Sequence, residues 1–280
     1  MHEVILNRCR RIFGYIVGFL LFYAPFEGFA RLFRLFYLPA RRYSFHEPCF
    51  RIPLHYLLDG RMDLAGPISL TGIALLALSA LLLGPLFCGR LCPAGALTEY
   101  LSYLVPRKLK IDWSRHVPIT TLRYGFFIGF LAAILVGIDE HCSYCNFAVF
   151  DSLTQVIRYQ RLPYYSLSLL VNFLVWFVIL GVFSVGGRGY CNFFCPVGAM
   201  NNLLYVLRKR IPFLPRLKVD NDKCVGCGQC VRVCPMRTIK LKDKKVTVDH
   251  WRCILCQDCL AVCPKNAISY GREGTHHGKP

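Results

Sequence analysis

Apolar residues gather into four long runs, at about residues 12–30, 65–87, 118–138 and 167–185. The first is interrupted by Pro25 and Glu27, and the third carries Arg123 near its start. Each run is about long enough to span a hydrocarbon core of roughly 30 Å, so the pattern predicts four transmembrane helices within residues 1–210. Arg208, Lys209 and Arg210, followed by Pro212 and Pro215, read as a linker. From Leu217 the chain turns polar, short-patterned and Cys-rich, with short strands expected at Thr238–Leu241 and Val246–Asp249. Residues 211–270 are therefore read as a small α+β domain and 271–280 as a disordered tail.

The apolar part repeats itself. Cys88-Gly-Arg-Leu-Cys92-Pro-Ala-Gly95 after the second run matches Cys191-Asn-Phe-Phe-Cys195-Pro-Val-Gly198 after the fourth, at a constant offset of 103 residues. Glu47-Pro-Cys49 and Glu140-His-Cys142 echo each other in the loops between. The expected fold is two pseudo-symmetric helical hairpins packed as a four-helix membrane bundle, fused to the C-terminal domain.

Composition agrees with that expectation. Apolar residues make up 55% of the chain and mean hydropathy is +0.40. The net charge of +18 first suggests nucleic acid. The basic residues flank apolar runs, however, where they would meet anionic lipid, so nucleic acid is set aside as a partner. Fourteen Lys and Arg residues lie on one side of the predicted spans and eight on the other. That bias predicts a multi-pass protein of the cytoplasmic (inner) membrane with both termini cytoplasmic.

The sixteen cysteines do not read as a disulfide scaffold. Cys224-x2-Cys227-x2-Cys230-x3-Cys234-Pro is followed by Cys253-x2-Cys256-x2-Cys259-x3-Cys263-Pro, the spacing of a two-cluster ferredoxin. One 4Fe–4S cluster would take Cys224, Cys227, Cys230 and Cys263. The other would take Cys253, Cys256, Cys259 and Cys234. Thiolates also bind zinc, but eight in this doubled arrangement point to clusters. Cys88, Cys92, Cys191 and Cys195 are expected at one end of the bundle on the ferredoxin side. Three readings stay open for them: a further metal or iron–sulfur site, redox-active thiols, or buried small hydrophobes. On the opposite face, His46, Cys49, His141, Cys142 and Cys145 form a weaker candidate metal group beside the reading of buried thiols or a disulfide. Glu27 is expected to pair with Arg31. Asp139, Glu47 and Glu140, with the two histidines, are candidate acceptors for quinol protons. Cys9 reads as incidental.

Four apolar runs, two Cys-x3-Cys-Pro motifs and a trailing two-cluster ferredoxin together resemble the NapH-type ferredoxin-like quinol dehydrogenase components. They also resemble the C-terminal half of NosR and the membrane part of CcoG/RdxA proteins. The resemblance implies a membrane-bound protein passing electrons between the quinone pool and a partner redox chain, as the quinol-oxidising or electron-transfer subunit of an oxidoreductase. It implies quinone or quinol as cofactor, and as partners a further ferredoxin-like subunit, a cytochrome or a terminal reductase. The alternative is a CcoG-like maturation factor that reduces metal or thiols during assembly of another enzyme.

Overall fold

The computed structural model describes residues 2–23, 28–36, 67–136, 167–208 and 213–271, together with Phe26, Tyr56, Gly60, Phe150, Thr154 and Ile211. Helix α1 covers His2–Phe22 and α2 covers Gly28–Phe36. Helix α3 covers Pro67–Leu82 and is followed by one π-type turn, Phe87–Leu91, and by α4, Pro93–Leu104. Helix α5 spans Ile119–Leu135. Helix α6, Leu167–Asn172, passes directly into a π-type helix over Phe173–Val182, and α7 (Gly189–Phe193) and α8 (Pro196–Leu207) complete the helical part.

These helices correct the four-span expectation. Among the described residues, no helix is long and apolar enough to cross a membrane. Helix α3 has 16 residues and α5 has 17. At 1.5 Å per residue each reaches about 25 Å, short of a core of roughly 30 Å. The second run stops because Gly84 adopts φ +85° just before Pro85, which breaks the helix ahead of Cys88. The fourth run holds only six α-helical residues before its geometry changes at Phe173. Helix α1 is 21 residues long but carries Glu3, Arg8, Arg10 and Arg11 in its first half. Counting apolar residues overlooked these breaks. The membrane bundle, and with it the multi-pass inner-membrane location with two cytoplasmic termini, is not upheld.

The matched motifs do generate matched structure. Helices α4 and α8 each have 12 residues, each begins with Pro at its first turn, and each follows a cysteine in extended conformation, Cys92 and Cys195. Proline there loses no hydrogen bond, because the first-turn N–H groups have no partner within the helix.

The C-terminal part holds two antiparallel two-stranded sheets. Strand β1 (Arg216–Val219) pairs with β4 (Ile268–Gly271), Leu217 facing Tyr270. Strands β2 (Ile239–Lys242) and β3 (Lys245–Val248) form a hairpin, one residue out of step with the expected spans. Its two-residue turn, Asp243-Lys244, has φ of 49° and 58°, the left-handed pair that matches strand twist. Short helices α9 (Gln229–Val233) and α10 (Asp258–Ala261) lie between. Leu217, Ile239, Val246, Leu260 and Ile268 form the core here, and Tyr205 of α8 is buried in the same cluster. Its hydroxyl accepts a 3.2 Å bond from the Leu217 N–H, which ties the two parts of the chain together.

Candidate functional site

The eight C-terminal cysteines line two cavities. One, with about 390 Å³ of atom-free space, is bordered by Cys224, Cys227, Cys230 and Cys263. The other, about 370 Å³, is bordered by Cys234, Cys253, Cys256 and Cys259. Each cavity thus takes three cysteines from one run and the fourth from the other. The backbone explains how. Left-handed residues recur at one offset of 29 along the two runs: Gly226 with Leu255, Gly228 with Gln257, and Arg237 with Asn266. These turns curl each Cys-x2-Cys-x2-Cys segment around its cavity. In the second run the positions are held by non-glycine residues, at a conformational cost of roughly 1–2 kcal/mol each. Leu255, 1% exposed, offsets that cost by filling the core.

The two cavities differ in environment. Cys256 and Cys259 are buried, whereas Cys227 is exposed. Burial pushes the Cys253 thiol up to about 12, and Cys256 and Cys259 well above the usual thiol range. Without a cation these thiols stay protonated. The second cavity is also clamped by the helical part. Asn7 donates to the Cys256 carbonyl at 3.1 Å, and Asn202 donates to the Cys253 carbonyl at 2.7 Å. A side chain at Gly89 would strike the Ile254 carbonyl, and one at Gly186 the Pro235 carbonyl, so backbones meet there without intervening side chains.

Cys88, Cys92, Cys191 and Cys195 come together beside the second cavity. Cys92 is pushed up to about 12 by burial and then by Cys191 and Cys88, and Cys195 is raised by burial and the same two neighbours. Cys88 packs with Met236, Ile254 and Cys256, and Cys191 and Cys234 flank that cluster. Two buried arginines face the group. Arg188 donates to the Cys88 carbonyl at 2.9 Å. Arg123 donates through Nη1 to the Trp251 carbonyl, while its Nε and Nη2 are buried without a hydrogen-bond partner. A Cβ on Gly198 would lie 2.6 Å from that Nη2 and 3.6 Å from Cys195 Sγ. An unanswered guanidinium near Cys88, Cys191 and Cys195 suits a site whose bound group is anionic.

A buried ionic network went unnoticed in the sequence. Arg11 of α1 pairs with Glu99 of α4 at 2.8 Å and with Asp258 of α10 at 2.5 Å. Arg188 pairs with Glu99 at 2.7 Å, and the Tyr15 hydroxyl accepts from both arginines. All four charged side chains are fully buried. Burial alone would raise the Glu99 carboxyl, but Arg188 and Arg11 outweigh it and hold Glu99 below the usual range. Burial prevails at Asp258, which is raised even though Arg11 lies beside it. Arg11 is shared; Glu99 is also hydrogen-bonded to Arg188, whereas Asp258 has the Glu99 charge working against Arg11. The repeat gave no hint of this, because the positions matching Glu99 and Arg188 at the 103-residue offset are Asn202 and Pro85.

Other candidates fall elsewhere. His46, Glu47, Cys49, Asp139, Glu140, His141, Cys142 and Cys145 lie outside the described residues, as do Glu27 and the tail from residue 272. Cys9 is exposed on α1. Among the described residues, no three His, Cys, Asp or Glu side chains converge as ligands of a single metal ion would. A four-iron cluster asks for a different arrangement, with each thiolate on its own iron around a shared volume.

Fold and site together define a class: an iron–sulfur electron-transfer protein of the ferredoxin type. Family comparison agrees, with a 4Fe–4S dicluster domain matching residues 223–267 and a 4Fe–4S binding domain matching twice, at 65–112 and 168–213. The two latter matches start 103 residues apart, the offset of the cysteine motifs. The ferredoxin-type protein NapH of Haemophilus influenzae is 28% identical over 60% of this chain and 54% of its own length. The methylamine utilization ferredoxin-type protein MauN of Methylorubrum extorquens is 28% identical over 65% of this chain and 58% of its own. An uncharacterized protein of Methanocaldococcus jannaschii is 29% identical over 61% and 67%. The match spans between half and two thirds of these relatives. No solved structure matches the chain. The chain is similar to ferredoxin-type proteins of the NapH and MauN kind.

Proposed function

We propose that this chain relays electrons between the quinone pool and a partner redox chain, with residues 211–270 as its cluster-bearing unit. One 4Fe–4S cluster is held by Cys224, Cys227, Cys230 and Cys263 and another by Cys253, Cys256, Cys259 and Cys234. A third iron–sulfur centre is held by Cys88, Cys92, Cys191 and Cys195. The carrying observation is the pair of cavities, each bordered by three cysteines of one run and one of the other. The family resemblance supports the quinone end. When bound, such clusters supply reversible one-electron transfer.

The chain's own residues set the conditions for it. Asn7 and Asn202 hold the Cys256 and Cys253 carbonyls, which fixes the loop that carries three of the ligands. Met236 and Ile254 exclude water between the second cavity and the four-cysteine group. Arg123 and Arg188 place positive charge beside that group, favouring its anionic forms.

Iron and acid-labile sulfide analysis of the anaerobically purified chain tests this. The expected content is about twelve irons, of which about eight belong to the C-terminal pair. Cys92→Ser with Cys195→Ser should lose about four irons and leave the C-terminal signals intact in low-temperature EPR. Bound zinc, or about four irons in the unaltered chain, would overturn the assignment. A reduced quinol analogue should bleach the cluster absorbance, and no bleaching would remove the quinone link while leaving the relay.

A further inference from the structure

The first cavity faces outward and its rim is basic. Cys227 and Val225 are exposed there, Val225 to 53%, and Lys223 and Lys265 border the opening. The Lys244 side chain lies along the same loop, since a Cβ on Gly226 would meet its Cγ at 3.2 Å. Exposed Lys240, Lys242 and Lys245 continue the basic surface along the β2–β3 hairpin. Residues 216–271 hold eleven lysines and arginines against five aspartates. Asp258 is buried against Arg11, and Asp249 is turned inward to Arg252 and Thr120. Asp220 is paired with Lys223 at 2.9 Å, which leaves Asp222 and Asp243 as the exposed counter-charges. The second cavity, by contrast, is closed in by Asn7, Gly89 and Asn202 of the helical part.

An apolar, exposed centre ringed by lysines has the make-up of a transient docking patch. We infer that this edge, centred on Val225 and Cys227 and rimmed by Lys223, Lys244 and Lys265, docks an acidic one-electron carrier protein. One electron passes with no atom transferred, so oxidation of the carrier by one electron balances reduction of this chain. The inference rests on the reading that the first cavity holds a cluster. Complementary charge would act mainly on the rate of encounter, and strongly only at low salt.

The test uses the whole chain of 280 residues, cluster-loaded, with an acidic flavodoxin as probe and a basic c-type cytochrome as its opposite. Reduction by photoreduced flavodoxin is followed at about 10 mM and about 500 mM ionic strength, and flavodoxin affinity is titrated separately. Lys244→Glu with Lys265→Glu should cut both low-salt rate and affinity about tenfold, and the difference should vanish at high salt. Neutral Lys244→Gln with Lys265→Gln should give a smaller loss of the same kind. Arg107→Glu with Lys108→Glu, on exposed residues that border neither cavity, should stay within about twofold of the unaltered chain. Equal salt response for flavodoxin and cytochrome, or an equal loss in the Arg107/Lys108 variant, would overturn the inference. So would a DNA duplex displacing flavodoxin from the patch. Iron and sulfide content is measured alongside. Missing clusters would sink the cluster reading alone, because the affinity titration does not depend on electron transfer.

Discussion

Glu99 shows how much one side chain can hold. It receives Arg11 from α1 and Arg188 from the segment before α7, and all three groups are fully buried. Glu99→Gln leaves buried Arg188 without a carboxylate and Arg11 with Asp258 alone, a loss of roughly 3–5 kcal/mol. A chemical denaturation midpoint at neutral pH measures it. The pH dependence has a defined sign. The Glu99 carboxyl is held below its ordinary value, so its contribution is fully present above the unfolded carboxylate range and is lost as pH falls through the depressed value. Asp258 is raised and works oppositely: its contribution is present at low pH and is lost as pH rises through the folded value. As pH falls from about 4.5 towards about 2, the unaltered chain should therefore lose more stability than Glu99→Gln. Equal slopes for the two would mean that Glu99 is not the group that titrates.

At the scale of elements, docking depends on places where backbones touch. Gly89 sits in the π-type turn before α4 and meets the Ile254 carbonyl, while Gly186, at φ +90°, meets the Pro235 carbonyl. Each repeat thus presents a glycine to one cluster-bearing loop. Gly89→Ala and Gly186→Ala should each push that loop away, because neither backbone can yield as a flexible side chain would. Amide exchange around Cys253–Cys256 should speed up in Gly89→Ala, and around Cys234–Arg237 in Gly186→Ala, with each melting temperature lowered by several degrees. Gly125→Ala is the control, since a Cβ there meets open space on α5, and it should be neutral or slightly stabilising.

For the whole molecule, the second cavity and the four-cysteine group lie on either side of Met236 and Ile254, where the helical and C-terminal parts meet. Removing iron should therefore loosen both parts together. The chelated protein is expected to melt in one broadened transition well below the loaded form, and α1 should lose protection along with the C-terminal loops through Asn7 and Arg11. Reloading should release protons, because burial keeps Cys253 and Cys92 protonated with values near 12. Recovery should accordingly be faster at about pH 8.5 than at about pH 7, and calorimetry in buffers of different ionisation heat would count the protons.

Local spacing and chemistry carried a large part of this protein in the sequence alone. The doubled Cys-x2-Cys-x2-Cys-x3-Cys-Pro runs pointed to their cavities, because three thiols so close in sequence can only curl around one small volume. The Cys-x3-Cys-Pro pair, offset by 103 residues, stands at the start of the equal 12-residue helices α4 and α8, since proline suits the first turn of a helix wherever it stands. Helix length was not legible, because Gly84 in a left-handed turn and the change of geometry at Phe173 interrupt runs that hydropathy averages as continuous. Nor was the pairing of Arg11, Glu99, Arg188 and Asp258, residues up to 247 positions apart that read individually as surface or interface charges. Buried ion pairs have no local pattern: each partner looks misplaced until folding brings the other to it, and only the tertiary structure decides which charges meet.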